Sequence, residues 1–215
     1  LILLLIPAGG TCGLPLETIF ESSGGKKTQT YEETMAWFQE LDAASDLMQL
    51  SGFGFSAQGH QLPVLVADGQ QRFSPEQHTQ REGRVVLLVQ ACIHAGETCG
   101  KDAGMLLLRE LATDSQVAEE LLENVTLLFI PIFNVDGHQR FGPYHRINQN
   151  GPDEMGWRVS ATNQNLNRDF LKADTVEMRH WLKLFQQWMP DFMIDIHSTD
   201  GADYQYVITY GLETH

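Results

Sequence analysis

Arg84 to Thr98, RVVLLVQACIHAGET, decides the fold. Its Val85-Val86-Leu87-Leu88-Val89 run is apolar without alternation and rich in β-branched side chains. That is the pattern of a strand buried on both faces, in a sheet covered by helices. A short turn follows, carrying His94-Ala95-Gly96-Glu97, and residues 101–111 read as a helix. An imidazole and a carboxylate therefore stand at the carboxyl end of a strand, where open α/β sheets place their ligands. Across a tight turn the i, i+3 spacing lets both side chains reach one ion. Histidine nitrogen and glutamate oxygen are ordinary zinc donors. Four residues alone do not separate half a metal site from a polar turn, since a chain with 8 His and 28 Asp+Glu shows His-x-x-Glu by chance. A third donor must come from a neighbouring strand.

The third donor stands near the other end of the sequence. Pro190 precedes a strand at residues 191–196, whose exit reads Asp195-Ile196-His197-Ser198. His197 thus repeats the placement of His94. Adjacent strands lie about 5 Å apart, so two such exits can share one ion. Two histidines and one glutamate leave a fourth coordination position open, which is the pattern of a catalytic rather than a structural zinc site.

The intervening chain supplies the rest of the sheet. Residues 31–44 place Tyr31, Met35, Phe38 and Leu41 on one helical face. Residues 50–55 and 62–67 read as two strands joined by a hairpin turn at 57–60, followed by a hydrophilic loop over 69–83. A second helix is expected at 115–122 and a further strand at 124–133, ending in Asn134-Val135-Asp136-Gly137. Helix returns at 175–188, and 204–210 reads as a last strand. Residues 13–30, polar and rich in Gly, Ser and Lys, read as a surface lead-in. The order predicts an α/β fold: a three-layer α/β/α arrangement on a mixed, largely parallel central sheet. Residues 137–172 form a long irregular segment, and loops of that length inside compact domains are usually functional. Arg158 and Arg168 lie in it. Guanidinium forks grip carboxylates, so these two arginines suggest an anionic substrate group.

Composition narrows the function. The 215 residues suffice for one core. A net charge of -14 argues against nucleic acid as a partner. The three cysteines, Cys12, Cys92 and Cys99, are no disulfide framework, and the two beside the turn read as small buried hydrophobes. Residues 1–12, apolar and then small, read as the remnant of a signal peptide too short to span a bilayer. That predicts a secreted or periplasmic protein with no stable membrane span. Nothing in the sequence sets the oligomeric state.

Taken together, His94-x-x-Glu97, Asn134-x-Asp136-Gly137, Arg158, Asn167-Arg168 and His197 occur in the order seen in metallocarboxypeptidases of the carboxypeptidase A type. The chain resembles that family, its bacterial members in particular, over nearly all of its length after residue 25. The resemblance implies that residues 13–215 are the N-terminal part of one catalytic domain with the fold of the zinc carboxypeptidases. It implies one Zn2+ held by His94, Glu97 and His197. It further implies Arg158 polarising the scissile carbonyl, with Asn167 and Arg168 gripping the free C-terminal carboxylate of a peptide substrate. Two departures stand out. The family's aspartate behind a zinc histidine is here Asn165, for which Asp195 is a substitute. The family's general-base glutamate has no counterpart in these residues and is expected beyond residue 215. Two other readings stay open: a deacylase of N-acyl amino acids, of the related aminoacylase type, and a zinc- and peptide-binding module without turnover.

Overall fold

The computed structural model describes residues 16–78, 83–199, 201, 202 and 204–212. The suggested signal-peptide remnant, residues 1–12, lies outside them. In chain order the elements are helices α1 (Ile19–Ser22) and α2 (Tyr31–Ala44), strands β1 (Met48–Phe55), β2 (Gln61–Asp68) and β3 (Val85–Gln90), helices α3 (Cys99–Thr113) and α4 (Ser115–Leu122), strand β4 (Val125–Ile130), helix α5 (Val135–Gln139), helix α6 (Val176–Trp188) and strand β5 (Phe192–Asp195). Single 3₁₀ turns form at Pro75–His78 and Leu166–Arg168.

The strands make one mixed sheet in the order β1-β2-β4-β3-β5. The β1–β2 hairpin and the β2–β4 pair are antiparallel, while β3 pairs in parallel with β4 on one side and β5 on the other. The site therefore sits in the parallel half. Against one face, Phe38 and Leu41 of α2, Met105, Leu108 and Leu111 of α3, and Leu122 of α4 pack on Leu65, Leu127 and Phe129. Against the other, Met178, Trp181, Leu184 and Trp188 of α6 pack on Val64, Val66, Val86, Leu88, Leu128 and Ile130. This is the three-layer arrangement the sequence order predicts.

Helix starts are set by local chemistry. Thr30 caps α2 in a reciprocal box with Glu33, and Thr175 caps α6 by accepting from the Met178 N–H. Asp114 ends α3 and caps α4 at once, which breaks one apolar stretch into two helices.

The structure departs from expectation in three places. Residues 204–210 form no strand. Their alternation supplies β propensity but nothing to pair with, and Val207 and Ile208 are 102% and 84% exposed. A strand without a ladder leaves its backbone to water and does not persist. The lead-in is more than surface. Thr18, Thr28 and Gln29 are buried, and Arg109 ties α3 to it by donating to Leu16 O at 2.9 Å and to both Glu21 oxygens at 2.7 Å. Cys99 is exposed, unlike the buried Cys92, and both thiols are free.

One buried ion pair locks the amino end of the parallel half. Asp68, at the end of β2, has no exposed surface and accepts from Arg84 Nη2 and the Gln70 N–H, both at 2.7 Å, and from the Thr126 hydroxyl of β4. Burial opposes its ionisation, but these donors outweigh burial and hold its carboxyl below the usual aspartate range. Such a group stabilises the fold above its unfolded value and loses that contribution as pH falls through its folded value. Asp68→Asn should therefore remove part of the acid sensitivity below about pH 4. At neutral pH it should cost on the order of 3 kcal/mol, by leaving the Arg84 charge without its partner. Urea unfolding across pH measures both; an unchanged midpoint and unchanged acid dependence would contradict this account.

Candidate metal centre

Strands β3 and β5 run side by side and end together, with Ile196 N donating to Gln90 O at 3.0 Å. Beyond these ends the chain turns, and three donors meet. His94, Glu97 and His197 each offer one atom within 4.8 Å of the others'. His94 Nδ1 lies 3.0 Å from Glu97 Oε1, and His197 Nδ1 lies 3.0 Å from Glu97 Oε2. The two imidazole centroids are 4.9 Å apart. Nitrogen, oxygen and nitrogen converging at this scale fit zinc, whose donors of these types bind at about 2.0–2.2 Å.

Glu97 is the most constrained group of the cluster. It is 2% exposed. Arg146 Nη2 stands 2.9 Å and Arg158 Nη1 3.5 Å from Oε1, while the Ser198 N–H donates to Oε2 at 3.0 Å. Burial alone would favour the neutral acid. The hydrogen bonds of His197, His94 and Ser198 overcome it and keep the carboxylate ionised far below its ordinary range. His197 responds in the opposite sense. Asp195 first and Glu97 second, against partial burial, push its pKa up to about 9.

The outer contacts differ between the two histidines. His197 Nε2 rests 3.0 Å from Asp195 Oδ2, a carboxylate behind a candidate ligand histidine. Asn165 turns its oxygen to the Asn167 N–H at 3.0 Å and so caps the Leu166–Arg168 turn. His94 Nε2 is buried and has no partner among the described residues. The structure thus places Asp195, not Asn165, at a candidate ligand histidine.

The long segment after β4 delivers its residues by two fixed points. Asn134 caps α5 through the Gly137 N–H at 3.0 Å, and its amide donates to Arg158 O at 3.1 Å. Asp136 accepts from Ser56 Oγ at 2.5 Å and from the Gln58 N–H at 3.1 Å, pinning α5 to the β1–β2 turn. Gly137 admits the crossing: a Cβ there would meet Trp157 O at 2.5 Å. Arg158 arrives at Glu97 on this frame. Asn167 Nδ2 lies 3.4 Å from His197 Nε2. Arg168, exposed beside it, donates to Asn167 O at 2.8 Å.

Sequence reading missed Arg146 and Gln149. Arg146 is buried, and its Nε donates to Gln149 Oε1 at 2.7 Å; Gln149 in turn donates to Gly96 O at 3.1 Å. The pair straps the His94–Glu97 turn from outside. A Cβ at Gly96 would come within 2.7 Å of Arg146 Cγ, so the glycine is what lets the arginine stem lie flat on the turn. The signal available was that glycine between two candidate ligands, together with further arginines in the same long segment.

Comparison with known proteins agrees with the geometry. Residues 34–210 match the family described as zinc carboxypeptidase. Carboxypeptidase 2 of Trichophyton rubrum is 30% identical over 177 residues, which are 81% of this chain and 30% of that protein. Carboxypeptidase 2 of Trichophyton equinum is 28% identical over the same length. The chain thus spans about a third of the length of the curated relatives it matches. Among solved structures, a metallo-carboxypeptidase from Burkholderia cenocepacia superposes with a TM-score of 0.63 at 18% identity, covering 82% of this chain and 43% of that one. The metallo-carboxypeptidase of Pseudomonas aeruginosa, in complex with (2-guanidinoethylmercapto)succinic acid, gives 0.60 at 20%, covering 81% and 41%. These likenesses show a shared fold, and the match over residues 34–210 shows that the chain belongs to the zinc carboxypeptidase family.

Proposed function

We propose that residues 13–215 form the metal-holding part of a single catalytic domain that removes C-terminal residues from peptides with one zinc ion. The observation that carries this reading is the convergence of His94 Nδ1, Glu97 and His197 Nδ1 at the ends of β3 and β5, with Arg158 against the same carboxylate. Zinc held there supplies Lewis acidity, polarising a carbonyl and making water nucleophilic near neutral pH.

The chain's own residues do the rest. Arg158 offers a guanidinium where negative charge develops on the scissile carbonyl oxygen, a preorganised contribution that is usually large. Arg168 and Asn167 grip the terminal carboxylate, so that only the last peptide bond reaches the metal. Arg146 compensates the buried charge of Glu97 and fixes its rotamer. A proton must still pass from water to the leaving amine. Glu97 and Asp195, the carboxylates hydrogen-bonded to the cluster, are both committed to the histidines. Neither of these two described carboxylates is then free to act as the general base, and on this reading that role falls to a residue beyond them, as the family resemblance implies. The apolar-then-small opening supports export to a secreted or periplasmic location. No helix among the described residues is long and apolar enough to cross a membrane.

The 215-residue chain, stripped with chelator and titrated with zinc, should bind one ion. Glu97→Gln and His197→Ala should each abolish that binding; retained stoichiometric binding in either variant would sink the ligand assignment. In a longer protein that includes the base, Arg168→Ala should lower kcat/KM by on the order of 2–5 kcal/mol, mostly through KM. Amidated peptides should lose a similar factor with the unaltered enzyme. Preference for N-acyl amino acids over peptides would instead support the deacylase reading.

A further inference from the structure

The last residue of β3 is Gln90, the one polar side chain closing the Val-Val-Leu-Leu-Val run. It is fully buried, and neither its Oε1 nor its Nε2 has a hydrogen-bond partner among the described residues. A buried carboxamide is costly to leave unpaired, and a leucine would continue the strand without that cost. On the adjoining parallel strand its registered partner is Asp195. Two residues back, Leu88 and Met193 are partners too, and both pack into the core under α6. Strand alternation puts Gln90 and Asp195 on that same face. Asp195 is itself half engaged. Its Oδ2 holds His197 Nε2 at 3.0 Å, while its Oδ1 is buried without a partner. An unpaired donor and an unpaired acceptor thus occupy paired positions on neighbouring strands, one step behind a candidate metal ligand.

We propose that Gln90 is a positioning residue of the metal centre. On zinc binding its Nε2, unpaired in this structure, turns to donate to Asp195 Oδ1 and fixes the carboxylate whose other oxygen sets the His197 ring. Partners on adjacent strands stand about 5 Å apart, which a glutamine side chain spans. A neutral amide orients Asp195 without discharging it, so the full negative charge stays on the Asp195 carboxylate, facing His197, and sustains the basicity of that imidazole toward the metal. The line Gln90–Asp195–His197 takes for one histidine the place of the aspartate that Asn165 replaces. The inference rests on the zinc reading of His94, Glu97 and His197.

The test is zinc affinity of the 215-residue chain, by competition with a chromophoric chelator, beside urea unfolding of the metal-free protein. Gln90→Leu should weaken zinc binding about 10–100-fold, while the metal-free chain unfolds at the same urea concentration or a higher one. A merely structural role gives the same unfolding result with zinc affinity unchanged, and that outcome overturns the proposal. Gln90→Met, equally long but without a donor, should show the same loss and serves if the leucine variant does not fold. In an Asp195→Ala background, Gln90→Leu should add nothing; a full additional loss would show that Gln90 does not act through Asp195 and would overturn it. Failure of the unaltered chain to bind zinc refutes the underlying reading and takes this proposal with it, and it is distinguishable because it needs no substitution.

Discussion

A buried carboxylate must be matched donor by donor, and Glu97 is where this chain meets that demand. Two imidazoles, two guanidinium groups and one backbone N–H surround it. They come from four parts of the fold: the turn after β3, the exit of β5, which supplies both His197 and Ser198, and two points in the segment after α5. Removing any supporting element strips a donor from a charge with little access to water. The same concentration of positive charge that keeps Glu97 ionised is what a metal must join when it enters. The site therefore stores its electrostatic order in the protein before any ion arrives.

The fold serves that one point. Parallel pairing of β3 with β5 brings two strand exits level, which sequence separation alone would never ensure. The antiparallel β1–β2 hairpin does no chemistry, yet its turn holds Asp136. Asp136 fixes α5, and Asn134 at the head of α5 fixes Arg158. Asn134 and Asp136 of the shared motif thus work as struts behind the candidate metal centre.

What was legible in the sequence follows the range of the interaction that fixes it. The helices at 31–44 and 115–122 were readable because their caps and apolar stripes are local. His94, Glu97 and His197 were readable because strand exits and donor types announce themselves one by one. Residues 204–210 misled because alternation reports propensity, while a strand exists only through a neighbour. Arg146, Gln149 and Gln90 were silent for a related reason. Their meaning lies across the fold: Arg146 meets Glu97, 49 residues away in sequence, and Gln90 stands in register with Asp195 on the neighbouring strand. The polar lead-in looked like surface because nothing in its composition shows that Arg109 and Lys101 reach out to it.

In the proposed centre one metal ion is held by Glu97 and two histidine Nδ1 atoms at the paired ends of β3 and β5. Anomalous diffraction at the zinc edge, from crystals grown with zinc, measures it directly. A single strong peak is expected at about 2.0–2.2 Å from His94 Nδ1, a Glu97 carboxylate oxygen and His197 Nδ1. A folded, zinc-loaded crystal whose peak lies elsewhere, with these three side chains still bonded only to one another, would contradict it.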